Sequence, residues 1–156
     1  MKTKSKSPVR MMVDTDIPRL VALDNHFCPN CPLTEKHFRN CIRLYSAWTP
    51  LVIVSGGELR SFCLFQHDKR DLILFRLISN PAASWHDSFA VYLDRMKGIG
   101  SWRRIIVDIP ERELDTQVFF RRLGMVCTRI ERGAYDDDVD DIQDAYVFEY
   151  RRSTEG

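Results

Sequence analysis

The chain reads as an α/β fold of α+β character, a mixed and mostly antiparallel sheet of about seven strands flanked by about four helices. Three features predict it: a meander of three strand-like runs across 48–78, two strand–helix units after it, and two apolar runs closing the chain. Strands joined by tight turns pair antiparallel, whereas a strand that returns through a helix pairs parallel, so the combination implies a mixed sheet. The 156 residues suffice for one ordinary domain with a real core. No repeat, low-complexity segment or Ser/Gly linker divides them, so a single domain is expected over residues 8–152, behind a disordered tail at 1–7.

Each element has a local cause. Val9-Arg10-Met11-Met12-Val13 reads as a short first strand. Asp14-Thr15-Asp16 supplies N-cap candidates for a helix whose apolar stripe is Ile17, Leu20, Val21 and Leu23. After the CPNCP break, Thr34 can cap a second helix running to about Tyr45. Trp48 to Val54 and Leu59 to Phe65 form a hairpin about Ser55-Gly56-Gly57. Asp68-Lys69-Arg70-Asp71 is the next polar turn, Leu72 to Ile78 a buried-looking strand, and Asn80-Pro81 its stop. A helix from about His86 to Met96 presents Phe89, Leu93 and Met96 on one face. Arg104 to Ile109 is a β-branched strand, and Leu114 to Leu123 a helix ended by Gly124. Val126 to Glu131 and Ala145 to Tyr150 close the order β-α-α-β-β-β-α-β-α-β-β.

Composition excludes several classes. With 44% hydrophobic and 29% charged residues the chain is globular, and a net charge of +1 directs it neither to nucleic acid nor to a membrane surface. No apolar run approaches the roughly 20 residues of a membrane span. The basic MKTKSKSP start lacks the apolar stretch of a signal peptide, and five cysteines is an odd number, so a reduced, cytoplasmic location is expected. There is no nucleophile elbow, Walker loop or HExxH motif.

Three local patterns carry two readings each. Cys28-x2-Cys31-x5-His37-x3-Cys41 has near-zinc-knuckle spacing, or is a proline-flanked loop followed by residues one helical turn apart. Gly98-Ile99-Gly100 looks like part of a phosphate loop, but it follows a helix and precedes a strand. That is the negative end of the helix dipole and the place for a glycine stop. The acidic run Asp136 to Asp141 is a solvated turn, or an attractor for a cationic acceptor.

The element order and a series of motifs resemble the GNAT acyl-CoA N-acyltransferases, the ribosomal-protein alanine N-acetyltransferases in particular. Val9-Arg10 through Asp14, Asp16, Pro18 and Leu20 is similar to the family's opening strand and helix. Pro32-Leu33-Thr34-Glu35-Lys36-His37-Phe38 resembles its P-W-S-E-x-x-F second helix start, which gives that segment a structural job in place of zinc. Phe119-Phe120-Arg121-Arg122-Leu123-Gly124-Met125 resembles Y-x-x-L-G-F, and Arg132-Gly133-Ala134-Tyr135 with Asp144-Ala145 resembles R-x-x-Y…D-A. The likeness spans roughly residues 8–151.

The resemblance implies an acetyl or other acyl group passing from acyl-CoA to a primary amine by direct attack, with no metal. Leu77, Ile78 and Ser79 would meet the pantetheine through backbone groups, one N–H polarising the thioester carbonyl. The diphosphate would lie on the turn Ser84-Trp85-His86-Asp87-Ser88-Phe89, at a helix N-terminus. This turn departs from the family's (Q/R)-x-x-G-x-(G/A) pattern at Ser84, Asp87 and Phe89, and Asp87 adds a negative charge. Asp108 falls at the family's base glutamate, Phe120 at its thiol-protonating tyrosine but without a hydroxyl, and Tyr135 at a substrate-side tyrosine. Glu113 replaces an asparagine often found before the fourth helix. The acceptor implied is a small-molecule amine or a protein N-terminus, with a homodimer left open. The altered loop and the missing hydroxyl also imply a second function, a catalytically silent GNAT-fold protein acting as a binding or interaction module.

Overall fold

The structure, a computed structural model, describes residues 8–135 and 143–152, with Tyr135 and Gln143 described in backbone only. The expected tail at 1–7 and the acidic segment from Asp136 to Asp141 lie outside the described residues. Seven strands form one sheet: β1 (Val9–Met11), β2 (Trp48–Ser55), β3 (Glu58–Asp68), β4 (Asp71–Ser79), β5 (Arg104–Pro110), β6 (Val126–Tyr135) and β7 (Gln143–Arg151). Their order in space is β1-β2-β3-β4-β5-β7-β6. Four helices accompany them: α1 (Ile17–Phe27), α2 (Glu35–Arg43), α3 (Trp85–Lys97) and α4 (Leu114–Arg122). The sheet is mixed as expected, with β1–β2, β2–β3, β5–β7 and β6–β7 antiparallel and β4–β5 parallel.

By its contacts the chain divides into two compact units, Met1–His67 with Phe75–Gly100, and Asp68–Leu74 with Ser101–Gly156. In the first unit, Met12, Ile17, Leu20, Leu33, Phe38, Val52, Phe62, Leu64 and Ile78 form one apolar cluster. Phe38 and Phe62 meet edge to face at 5.3 Å. Ile17, Leu20 and Phe38 come from the apolar stripes of α1 and α2, Val52, Phe62 and Leu64 from one face of β2 and β3, and Met12, Leu33 and Ile78 close the cluster from the flanking segments and β4. Thr34 caps α2 as expected, accepting the His37 N–H at 3.3 Å, while His37 Nδ1 accepts the Thr34 N–H at 3.4 Å. The histidine thus fills the place of the acidic partner in a capping box.

The start of α1 departs from expectation. Asp14–Asp16 is a 3-10 turn, and the Asp16 carboxylate makes no cap hydrogen bond to the helix. It is fully buried and forms a two-pronged pair with Arg10 at 2.7 and 2.9 Å, and it also accepts from Arg19 and the Val13 N–H. The Arg10 hydrogen bond outweighs burial and holds this carboxyl below the usual range. A fork of parallel N–H donors outcompetes single helix amides for a carboxylate, so the acid leaves the cap for the guanidinium.

In the second unit, β5 runs parallel to β4 over Asp71–Ile73 against Arg104–Ile106, and antiparallel to β7 along its length. Arg104 joins Asp71 at 2.5 and 3.1 Å and Glu149 at 3.0 Å. The apolar side holds Ile105, Val107, Phe120 and Phe148, with Phe120 and Phe148 rings 5.8 Å apart. Helix α4 ends in a full Schellman arrangement: Gly124 N–H to Arg121 O, Met125 N–H to Phe120 O, and Gly124 at φ 89°.

Candidate functional site

Strand β4 ends at Ser79, and the N–H of the next residue, Asn80, bonds the Arg60 carbonyl at 2.9 Å. Ala82–Ser84 makes one 3-10 turn, and α3 begins at Trp85. Ser84 stands at the N-cap without a side-chain bond to the helix, because its hydroxyl donates back to the Pro81 carbonyl at 2.7 Å. The positive end of a 13-residue helix therefore lies one 3-10 turn beyond a strand end, and it carries no serine cap.

The residues expected at this junction divide by exposure. Ile78 and Ser79 are buried, Leu77, Ser84, Trp85, His86 and Ser88 are half-buried, and Asp87 is exposed in the first turn of α3. The Trp85 and His86 rings pack edge to face at 4.1 Å. Ser88 turns inward, with its Oγ 2.8 Å from Ser79 Oγ. Ser79 Oγ in turn lies 3.2 Å from Ser61 Oγ, which also receives the Tyr92 hydroxyl at 2.9 Å and donates to the Ile78 carbonyl at 2.8 Å. Sequence reasoning passed over Ser61 and Tyr92. The available signal was a serine opening the apolar run Ser61-Phe62-Cys63-Leu64-Phe65, and a tyrosine on the buried face of α3.

The glycines after α3 are its end, as the sequence implied. Gly98 is the C-cap residue with its N–H on the Arg95 carbonyl, and the left-handed φ, 73°, falls at Gly100.

In the second unit, Asp108 is an exposed residue of β5, opposite Val147 of β7. Partial desolvation raises its pKa, Glu131 adds to the rise by like-charge repulsion, and Arg129 opposes it. Phe120 is fully buried against Phe119 and Phe148. Tyr135 pairs in backbone with Gln143 across the β6–β7 ladder.

The cysteine–histidine pattern does not assemble as a ligand set. Cys41 is in the core, with its thiol pushed up to about 11 by burial, whereas Cys31 is exposed and the His37 ring is engaged with Thr34. Among the described residues, no group of three or more His, Cys, Asp or Glu side chains could hold a metal. A concavity of about 420 Å³ lies along Asp14, Ile17, Pro18, Val21, Glu35 and Arg39. No described helix is long and apolar enough to cross a membrane.

No family model matches the chain, and no curated protein matches it. Solved structures do match. A ribosomal-protein-alanine N-acetyltransferase from Escherichia coli is similar over 95% of this chain and 95% of its own, with a TM-score of 0.71 at 16% identity. A GNAT-family acetyltransferase from Streptococcus pneumoniae gives a TM-score of 0.74 at 15% identity, over 93% of this chain and 98% of its own. A ribosomal-protein-alanine N-acetyltransferase from Brucella melitensis gives 0.72 at 12% identity, over 92% and 98%. The chain has the GNAT acetyltransferase fold. At these identities the likeness concerns backbone path, so the GNAT fold supplies a frame and the chemistry rests on the residues placed upon it.

Proposed function

We propose that the chain is a GNAT-type N-acyltransferase that moves an acetyl or other acyl group from acyl-CoA to a primary amine. The observation that carries this reading is the short passage from the end of β4, through one 3-10 turn, into the N-terminus of α3, within a chain that follows the GNAT fold over nearly its whole length. The first turn of a helix, at the positive end of its dipole, suits a diphosphate.

In this reading the backbone of Leu77, Ile78 and Ser79 meets the pantetheine, and the turn formed by Ser84, Trp85, His86, Asp87 and Ser88 meets the diphosphate. The amine attacks the thioester carbonyl as the neutral base, the C–S bond breaks, and CoA leaves as thiolate. Asp108 takes the proton that the amine sheds, directly or through water. Its raised pKa supports this role, since a general base works best as its pKa approaches the working pH. Phe120 has no hydroxyl to give the leaving group, so thiolate protonation falls to solvent. Tyr135 belongs to the acceptor side, and the acceptor is a small-molecule amine or a protein N-terminus. The work is expected in the cytoplasm.

Calorimetric titration with acetyl-CoA tests the reading. Binding is expected within the range of about 1 μM to 1 mM usual for enzyme substrates, and no heat of binding at 1 mM would sink it. That negative result would leave the second function, a GNAT-fold binding module.

A further inference from the structure

Four hydroxyls meet inside the first unit, from three different elements: Ser61 of β3, Ser79 of β4, and Ser88 and Tyr92 of α3. Ser61, Ser79 and Tyr92 are each at most 3% exposed. Hydroxyls in such a place cost stability unless their bonds are made, so how their protons are arranged matters.

Each hydroxyl has one proton to give and two lone pairs to accept with. Ser61 gives its proton to the Ile78 carbonyl and therefore accepts from both Tyr92 and Ser79. Ser79 directs its one proton to Ser88 at 2.8 Å and, over a longer contact, to Ser61 at 3.2 Å. The bonds thus join Ser79 to Ser88 on one side and to Ser61 on the other, with Tyr92 also donating to Ser61 and Ser61 donating to the Ile78 carbonyl. Burial pushes the Tyr92 phenol far up, so it remains a donor throughout the working pH range.

The chain of bonds links the first turns of α3 to the last two residues of β4. Apolar side chains of similar volume would fill the same space but would leave the helix free to slide by fractions of an ångström along the strand.

We propose that Ser79 is a positioning residue. Through Ser88 it fixes the first turn of α3 against the end of β4, and so sets how tightly that turn holds the diphosphate of an acyl-CoA. The ligand half of this statement rests on the acyltransferase reading, whereas the positioning half stands on the hydroxyl geometry.

The test compares two ligands by amide NMR titration, CoA and acetyl-pantetheine, which lacks the phosphates. Ser79→Ala is expected to weaken CoA roughly three- to ten-fold, the worth of one net hydrogen bond, and to leave acetyl-pantetheine unchanged. Ser79→Thr keeps the hydroxyl and should restore CoA affinity. Tyr92→Phe spares the Ser88–Ser79–Ser61 chain and should leave CoA affinity within about two-fold while lowering stability. Equal weakening of both ligands by Ser79→Ala, or none, overturns the proposal. Should Ser79→Ala not fold, Ser79→Cys, which keeps the size and replaces the hydroxyl by a weak donor, gives the same comparison. Hydrogen exchange separates the two halves. If the wild type binds neither ligand, the acyltransferase reading fails, and the positioning role is then decided by whether Ser79→Ala speeds amide exchange at 84–89 more than in α1. No difference there ends it.

Discussion

Arg76 Nη1 lies 2.8 Å from Asp24 Oδ1, with the carboxylate wholly buried and the guanidinium 16% exposed. The other Asp24 oxygen takes the Leu33 N–H at 2.6 Å, and Arg76 Nη2 donates to the Cys31 carbonyl at 3.1 Å. This pair therefore ties β4 to the connection between α1 and α2, including the Cys-Pro-Asn-Cys turn whose spacing carried the zinc reading.

Removing one partner should be costly, because the other charge remains buried without compensation. Asp24→Ala is expected to lower the unfolding free energy by about 3–5 kcal/mol. The double variant Asp24→Leu/Arg76→Met should lose clearly less than the sum of the two single losses. Urea unfolding measures both, and additive losses would show that the pair is not coupled.

Acid should unfold the protein through two carboxylates held below their ordinary range, Asp16 by Arg10 and Asp71 by Arg104. A carboxylate with a depressed folded pKa stabilises the fold above its unfolded value, near 3.9, and loses that contribution as pH falls through the lower folded value. Stability is therefore expected to be flat above about pH 5 and to drop below about pH 4. Asp16→Asn should lower stability at pH 7 and flatten the acid limb, as followed by circular dichroism during pH titration.

Two helix ends should each contribute a measurable amount. Gly124→Ala places a Cβ 3.9 Å from the Tyr150 ring, an ordinary contact, so its cost is the left-handed backbone, about 1–2 kcal/mol. Thr34→Ala removes the acceptor of the His37 N–H and should cost about 1 kcal/mol. Chemical denaturation checks both, and a neutral Gly124→Ala would mean that the helix end can re-form without the left-handed residue.

Asp108→Asn should separate stability from function. The ionised carboxylate is disfavoured in the fold by partial desolvation and by Glu131, so its neutral replacement is expected to raise stability slightly at pH 7. A raised folded pKa favours the fold at pH values below the unfolded pKa, so this gain should vanish as Asp108 protonates in acid. In an acetylation assay the same variant should lose about 100-fold in turnover with acetyl-CoA affinity nearly unchanged. Parallel loss of affinity would argue against a general-base role.

Much of this architecture was legible beforehand. The order of all eleven elements, the Gly124 helix end and the Thr34 cap follow from period, turn chemistry and capping preference, which act over a few residues. Asp16 stands at the N-cap position of α1 as expected, but its carboxylate goes to Arg10 of a preceding strand and not to the helix. The hydroxyl cluster was invisible for the same reason, since Ser61 and Ser88 are 27 positions apart and each alone looks like an ordinary serine.

The sequence by itself determined the strand and helix pattern and the absence of glycine from the turn before Phe89, because these depend on local chain chemistry. Only the tertiary structure decided where the buried polar groups send their bonds. Arg10 meets Asp16, Arg76 meets Asp24, and Ser88 turns inward to Ser79 rather than outward from its helix. A buried polar group must find a partner wherever the fold provides one, and that partner is set by packing between elements, not by distance along the chain.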